Sequence, residues 1–197
     1  MNETESPMRV RLFLPIATVL AASCSAQTAS YGHNDKYLLP DRRLTPGEVN
    51  PAIVADPSGK SIMRNGVEAN ICAKSFTVDQ YENATASMKH QVCDEYGQKS
   101  CSESDKGGFD RLIPIEIGGQ DTIKNLWWLP KPDFSVKVHL VNEKIKPLVC
   151  SGKMDLKTAQ VLVQGNWVNG MWGIEIMEKC DRCNVRVAPN IKVPNSK

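Results

Sequence analysis

Apolar positions fall into a few periodic stretches, separated by breaks rich in Gly, Pro and Asn. Leu12 to Ala22 is a continuous apolar run behind Arg9 and Arg11, followed by the small residues Ser23, Cys24, Ser25 and Ala26. That order predicts an export signal over 1–26, because the run is too short to span a bilayer comfortably. Residues 27–44 are polar, with Gly32, Asn34, Asp35 and Pro40, and read as a flexible arm. Asn70 to Thr77 reads as a short strand. Asp79 to Glu95 carries Tyr81, Ala84, Met88 and Val92 at helical spacing and predicts a helix ending near Gly97. Residues 98–108 form a polar loop. Phe109 to Ile117 partly alternates, as a strand does, with Pro114 marking an edge or a bulge. Gly118-Gly119-Gln120-Asp121 signals a turn, and Asn125 to Leu129 supplies a returning strand. A helix is expected from about Phe134 to Val149, behind Pro130 and Pro132, and Ser151-Gly152 stops it. Leu156, Ala159, Val163 and Trp167 define one side of a further helix. Met171 to Val187 alternates again and reads as a C-terminal β-hairpin within 169–197, its turn at Cys180 to Cys183. The fold class is therefore α+β.

Composition narrows this only a little. The 197 residues can bury one proper core, and 41% hydrophobic with 23% charged residues is ordinary for a globular chain. A net charge of +2 is too small to imply a nucleic-acid partner, though it leaves room for a local basic patch. No transmembrane helix is expected in the mature chain. Cleavage after Ala26 would give a soluble exported protein, periplasmic or extracellular. Cleavage before Cys24 would instead leave Cys24 as a lipid-anchored N-terminus.

Seven cysteines point the same way. With Cys24 removed or lipidated, Cys72, Cys93, Cys101, Cys150, Cys180 and Cys183 remain, an even set as a disulfide framework requires. Sequence alone allows fifteen pairings of six cysteines. Cys93–Cys101 and Cys180–Cys183 are expected as local pairs. The rival reading of Cys180-Asp-Arg-Cys183 is half a zinc site or a redox pair. It would need two further ligands or a βαβ setting, and the sequence offers neither.

Residues 109–130 read FDRLIPIEIGGQDTIKNLWWLP. The stretch resembles the core of small exported HNH-type (ββα-metal) endonucleases: Asp-His, Leu-Ile-Pro-Leu-Glu-Leu-Gly-Gly, a polar loop, then Lys/Arg-Asn-Leu-Trp-Pro. Asp110, Leu112, Ile113, Pro114, Glu116, Gly118, Gly119, Asn125, Leu126 and Trp127 fit that pattern. The Thr45 to Pro51 segment and Val149-Cys150-Ser151-Gly152 are also similar to the family, so the resemblance spans about 45–168. It implies a ββα core with extra helices and a Cys72–Cys150 disulfide, a cross-link of roughly 4 kcal/mol in the loop-entropy model.

The resemblance also implies chemistry that this chain has altered. An HNH site uses a divalent cation such as Mg²⁺ on the scissile phosphate and a His base for water. Asp110 matches the family's metal-ligand Asp; the alternative is a carboxylate paired with a neighbouring arginine. The base position is Arg111, whose guanidinium stays protonated and has no lone pair to accept a proton. The family's helix His falls at Lys146. His139, Asn142 and Lys146 lie at i, i+3 and i+7 on one helix face, so His139 or Asn142 could be a displaced metal ligand. Glu116 and Asn125 are retained as supporting residues, with Asn125 equally able to pin its loop through backbone groups. Trp128 replaces the family's usual Pro and reads as a new, exposed contact surface. Arg111, Lys124, Lys131, Lys137, Lys144 and Lys146 lie in or beside the cleft and could hold a phosphate without cutting it. Three functions stay open: a non-catalytic HNH relative binding nucleic acid, another polyanion or a partner protein; an active metal-dependent endonuclease with a displaced base; or an envelope lipoprotein with a structural role.

Overall fold

The computed structural model describes residues 32–34, 37–98 and 106–178. The export signal with Cys24, and Cys101, Cys180 and Cys183, lie outside the described residues. The chain is mixed α+β, with short antiparallel strand pairs and a Cys72–Cys150 disulfide. The pairs are β1 (Gly32–Asn34) with β2 (Tyr37–Leu39), β3 (Met63–Arg64) with β4 (Val67–Glu68), and β5 (Gly107–Arg111) with β6 (Leu126–Pro130).

The β5–β6 pair carries the motif. Its register sets Asp110 opposite Trp127 and Arg111 opposite Leu126. After Arg111 the chain leaves the strand and closes in a 3-10 turn over Ile115–Ile117, where a longer strand was expected. Asn125 causes this. Its Nδ2 donates to the carbonyls of Ile113 and Gln120 at 2.8 and 2.7 Å, and its Oδ1 accepts from the Ile113 N–H at 3.0 Å. An extended strand would leave those buried groups unpaired. Gly119 is obligatory there, since a Cβ would overlap the Ile113 carbonyl.

Helix α1 (Ala86–Glu95) begins later than its apolar spacing predicts. A separate 3-10 turn covers Val78–Tyr81, and Asn83 and Ala84 donate their N–H groups to the Asp121 carboxylate at 2.5 and 2.6 Å. Thr85 then caps α1 by accepting from the Met88 N–H. The strand expected over Asn70–Thr77 is replaced by turns, with a single bridge at Asn70. Again an Asn side chain wins: Asn70 Oδ1 accepts from the N–H groups of Asp56 and Cys72, and Nδ2 donates to the Asp56 and Lys60 carbonyls.

The helix expected from Phe134 to Val149 is present as α2 (Asp133–His139), a π-helical stretch over Leu140–Ile145, and α3 (Lys146–Cys150). The Lys146 N–H reaches back five residues to the Val141 carbonyl, and Pro147 beyond it has no N–H to give. Helix α4 (Leu156–Glu178) breaks at Asn166, where φ is −161° and ψ 101°. Asn166 Oδ1 accepts from the Val168 and Asn169 N–H groups at 3.0 and 3.1 Å and so restarts the helix.

Two expectations fail here. The C-terminal hairpin was to begin at Met171, yet α4 runs on through Glu178. Val163, Trp167, Met171 and Ile174 also recur at helical spacing and pack on one core, so the short alternating run was ambiguous and the helix that buries more of it prevails. The arm expected over 27–44 is not loose from Tyr37 onward. Tyr37 packs on Trp167 with ring centroids 5.4 Å apart, the Leu38 N–H donates to Asp133 at 2.8 Å, and the Leu38 carbonyl accepts from the Trp167 indole at 3.1 Å.

Two hydrophobic clusters flank the β5–β6 pair. The larger joins Ile53, Ile71, Ile115 and Ile117 to the apolar faces of the α2–α3 span and α4. The smaller joins Val92 and Tyr96 of α1 to Leu126, Trp127, Trp128 and Leu129 of β6. Trp128 is thus 2% exposed, with its ring edge-on to Phe109, and is not the contact surface it was expected to be. Both faces of β6 are covered, so its alternation carries no inside–outside signal.

Candidate functional site

Strand β5 brings Asp110 and Arg111 to the N-terminal half of the α2–α3 helical span. Asp110 is buried, and its Oδ2 accepts from the Trp127 indole N–H at 2.6 Å and from the Lys137 ammonium at 2.5 Å. Lys137 has no exposed surface, and its Nζ also donates to the Arg111 carbonyl at 2.6 Å. Burial pulls the Lys137 pKa below its ordinary value; Asp110 and Glu116 oppose the shift by favouring the charged form. The carboxylate that the motif assigns to a metal therefore holds an ammonium. The sequence-level alternative had the right idea and the wrong partner, since Lys137 from α2, not Arg111, neutralises Asp110.

Arg111 turns the other way. Its Nε donates to Asp121 Oδ1 at 2.7 Å and its Nη2 to Glu82 Oε1 at 3.2 Å. Burial alone would lower its pKa, but the Asp121 hydrogen bond and the charges of Asp121, Glu82 and Glu116 outweigh that and raise it. Asp121 is buried too; burial would raise its pKa, yet Arg111 and the Asn83 and Ala84 N–H groups hold it below the usual carboxylate range. Arg111 is thus a clasp between the β5–β6 loop and the segment before α1, and it is further than ever from a general base.

A pocket of about 90 Å³ opens between these groups. Asp110, Arg111, Glu116 and Asn142 supply its polar lining, while Phe109, Phe134 and Val138 are among its apolar walls. That is well below the roughly 300–1,000 Å³ of a typical small-molecule site. Four of the expected residues are therefore brought together. Three are not. His139 is 59% exposed at its side chain and pairs with Glu143 at 2.9 Å, one turn along the same helix, so it does not line the pocket. Lys146 lies over the Phe76 ring at 5.1 Å, and Lys124 is exposed and 4.0 Å from Glu48. Neither lines the pocket. Asn125 is buried and wholly committed to backbone groups, so it supports the loop and touches nothing that reacts.

A divalent cation does not fit this arrangement. Asp110 already gives Oδ2 to two donors, one of them cationic, and among the described residues no three His, Cys, Asp or Glu side chains are grouped to hold a metal ion. An HNH-type metal set of Asp110 with His139 is not assembled, because His139 sits on the outer face of its helix.

The residue that sequence reasoning undervalued is Lys137, which it counted only among six basic residues near the cleft. Its partner Asp110 lies 27 positions away, and no periodicity links them. A signal was present in retrospect: Val136, Lys137, Leu140 and Val141 share a helix face otherwise apolar, and a lysine there needs a carboxylate.

Cys72–Cys150 forms as the motif resemblance implied, tying the segment after β4 to the end of α3 across 78 positions. Cys93 is also disulfide-bonded; Cys101, its expected partner, lies outside the described residues. Among the described residues no helix is long and apolar enough to cross a membrane. Comparison of the chain with protein-family models, with curated proteins and with solved structures gave no match.

Proposed function

We propose that this chain is an exported, disulfide-stapled protein on an HNH-like ββα scaffold, which no longer hydrolyses phosphodiesters and acts by binding a partner protein. The observation that carries the reading is the Lys137 ammonium on Asp110 Oδ2. The carboxylate that would direct a metal to a phosphate is neutralised from within the fold, and the neighbouring base position holds a cation locked to Asp121. Among the described residues Asp110 and Asp121 are each taken up by a cation, so no pair of free carboxylates is assembled to hold a metal that activates water. The motif DRLIPIEIGG…KNLW, whose two ends lie on β5 and β6 with α2 next in the chain, supports the scaffold assignment.

The charge balance favours protein over nucleic acid as the partner of this face. Asp110, Glu116, Asp121 and Glu82 surround Arg111 and Lys137, four carboxylates against two cations. A phosphate entering here would meet an excess of like charge, whereas nucleic-acid sites depend on uncompensated Lys and Arg. Export accords with the disulfide, which persists in oxidising compartments.

The test is a nuclease and gel-shift assay of the oxidised protein on plasmid and single-stranded DNA with Mg²⁺ or Mn²⁺. The expected result is neither cleavage nor retardation at physiological salt, for the natural sequence and for Asp110→Asn alike. Metal-dependent cleavage that Asp110→Asn abolishes would overturn the reading. Retardation without cleavage would keep the loss of catalysis and replace the protein partner with nucleic acid.

A further inference from the structure

A second pocket, of about 120 Å³, shares no lining residue with the first. One of its lining residues is anomalous. Arg42 Nη1 is enclosed and has no hydrogen-bond partner, and among the described residues Arg42 makes no ion pair. Its neighbour Arg43 pairs with Asp41 at 2.6 Å, and Arg111 pairs with Asp121 at 2.7 Å, so the contrast is local. Burial pushes the Arg42 pKa down, though the residue is only partly buried and it is Nη1 that is enclosed. Folded chains pair such donors, and an enclosed N–H left without an acceptor is costly.

The surroundings suit one kind of occupant. Leu39, Leu112, Val163 and Trp167 make an apolar wall. Gly165 and Asn166, where α4 breaks, line the pocket as well, so the N-terminus of the helical segment from Trp167 to Glu178 opens there. The donors of that helix start are already engaged, since Asn166 Oδ1 accepts from the Val168 and Asn169 N–H groups, so the break shapes the space and leaves Arg42 as its charged group. A cation with an enclosed, unpaired N–H thus lines an otherwise apolar space that the α4 break also borders. That space equals about four water-sized groups at roughly 30 Å³ each.

We propose that this pocket binds a small aliphatic carboxylate, its carboxylate on Arg42 beside the Gly165–Asn166 break and its tail against Leu39, Leu112, Val163 and Trp167. Two sources share that chemistry: a free short-chain acid, and the terminal carboxylate of a peptide that ends in a small apolar residue. The site is independent of Asp110 and Lys137, so it stands or falls apart from the function proposed above.

The test is an amide NMR titration of the oxidised protein with sodium butyrate and, separately, N-acetyl-valine. Butyramide and sodium chloride at matched ionic strength are the comparators. Saturable shifts are expected at the Arg42 Nε–H, at Asn166 and at the Trp167 indole for either acid and for neither comparator. Tighter binding of butyrate identifies a free acid as the occupant, and tighter binding of N-acetyl-valine a peptide terminus. Arg42→Gln should weaken binding at least tenfold and Arg42→Lys should restore part of it. Should Arg42→Gln fail to fold, a rise in the natural protein's melting temperature with butyrate but not butyramide carries the same information. Equal shifts from butyramide would reduce the pocket to an apolar cavity, equal shifts from chloride to an unselective anion site, and no saturable shift in the millimolar range would leave no site; each overturns the proposal.

Discussion

Replacing Lys137 by Met keeps nearly the volume of a side chain that has no exposed surface, and removes its charge. Asp110 Oδ2 then keeps only the Trp127 indole, and the Arg111 carbonyl loses a donor at 2.6 Å. Removing one partner of a buried ion pair costs about 3–5 kcal/mol, because the other charge is left without compensation in a medium that solvates it poorly. Against the roughly 5–15 kcal/mol of a typical domain, that is about a fifth or more of the total. With a urea m-value of about 2 kcal/mol/M the unfolding midpoint should fall by about 2 M. Fluorescence of the buried Trp127, Trp128 and Trp167 reports the transition, with the disulfides kept oxidised. The decisive comparison is Lys137→Met with Asp110→Asn. If the cost of the single change is the stranded carboxylate, neutralising it should recover at least about half the loss, a coupling of about 2 kcal/mol in the double-mutant cycle. A loss under about 1 kcal/mol in Lys137→Met, or a strictly additive double variant, would refute the internal-cation account of Asp110.

Other expectations follow from the same structure. The Glu68 carboxylate, held to about 2 by the Ser61 hydroxyl and the Ile62 and Asn70 N–H groups despite its burial, is depressed from 4.5; stability should be intact above pH 4.5 and fall as pH drops towards 2, and Glu68→Gln should flatten that part of the urea-midpoint profile. Reducing Cys72–Cys150, or changing both residues to Ser, should cost about 4.5 kcal/mol for its 78-residue separation, read as a drop in thermal midpoint. Asn125→Ala should cost about 3 kcal/mol in urea unfolding, since it orphans buried groups of Ile113 and Gln120. Restoring both motif histidines, Arg111→His with Lys146→His, should give no Mg²⁺-dependent plasmid cleavage while Lys137 still occupies Asp110; cleavage by that double variant would show that the ammonium is displaceable.

The parts of this fold legible in the sequence are those with a single dominant cause. The helix before Ser151 announces itself by the prolines ahead of it and the Ser151-Gly152 stop, the one beginning at Leu156 by apolar spacing, and Gly97, Gly118 and Gly152, all at positive φ, end elements where expected. The illegible parts are those where one polar side chain overrides the pattern. Asn70 turns a strand-like run into loops, Asn125 cuts the first motif strand short at Arg111, and Asp121 delays α1 by gathering the Asn83 and Ala84 N–H groups. The same holds at the candidate site. Asp110, Arg111, Glu116 and Asn142 were placed together by motif and helix phase, but their partners were not, because Lys137, Asp121 and Glu82 reach them across 27, 10 and 29 positions. The first strand of the hairpin, expected from Met171, is helix for a different reason: six residues of alternation cannot by themselves be told from two turns of helix, and the expected turn and second strand lie outside the described residues.

On the reading proposed here, the substitutions around Asp110 are one physical event rather than several. An aspartate built into the interior to hold a metal is a liability once the metal is gone, since an uncompensated buried carboxylate costs several kcal/mol. Arg111 follows the base position but is drawn to Asp121 and Glu82, so it does nothing for Asp110. Compensation has to come from an element that already faces the carboxylate, and α2 is that element: Lys137 reaches Oδ2 from its buried side and satisfies the Arg111 carbonyl with the same ammonium. The arrangement makes stability and hydrolysis rivals for a single oxygen. Any return to metal chemistry would have to remove Lys137 first, and the fold would lose a buried ion pair before a cation could take its place.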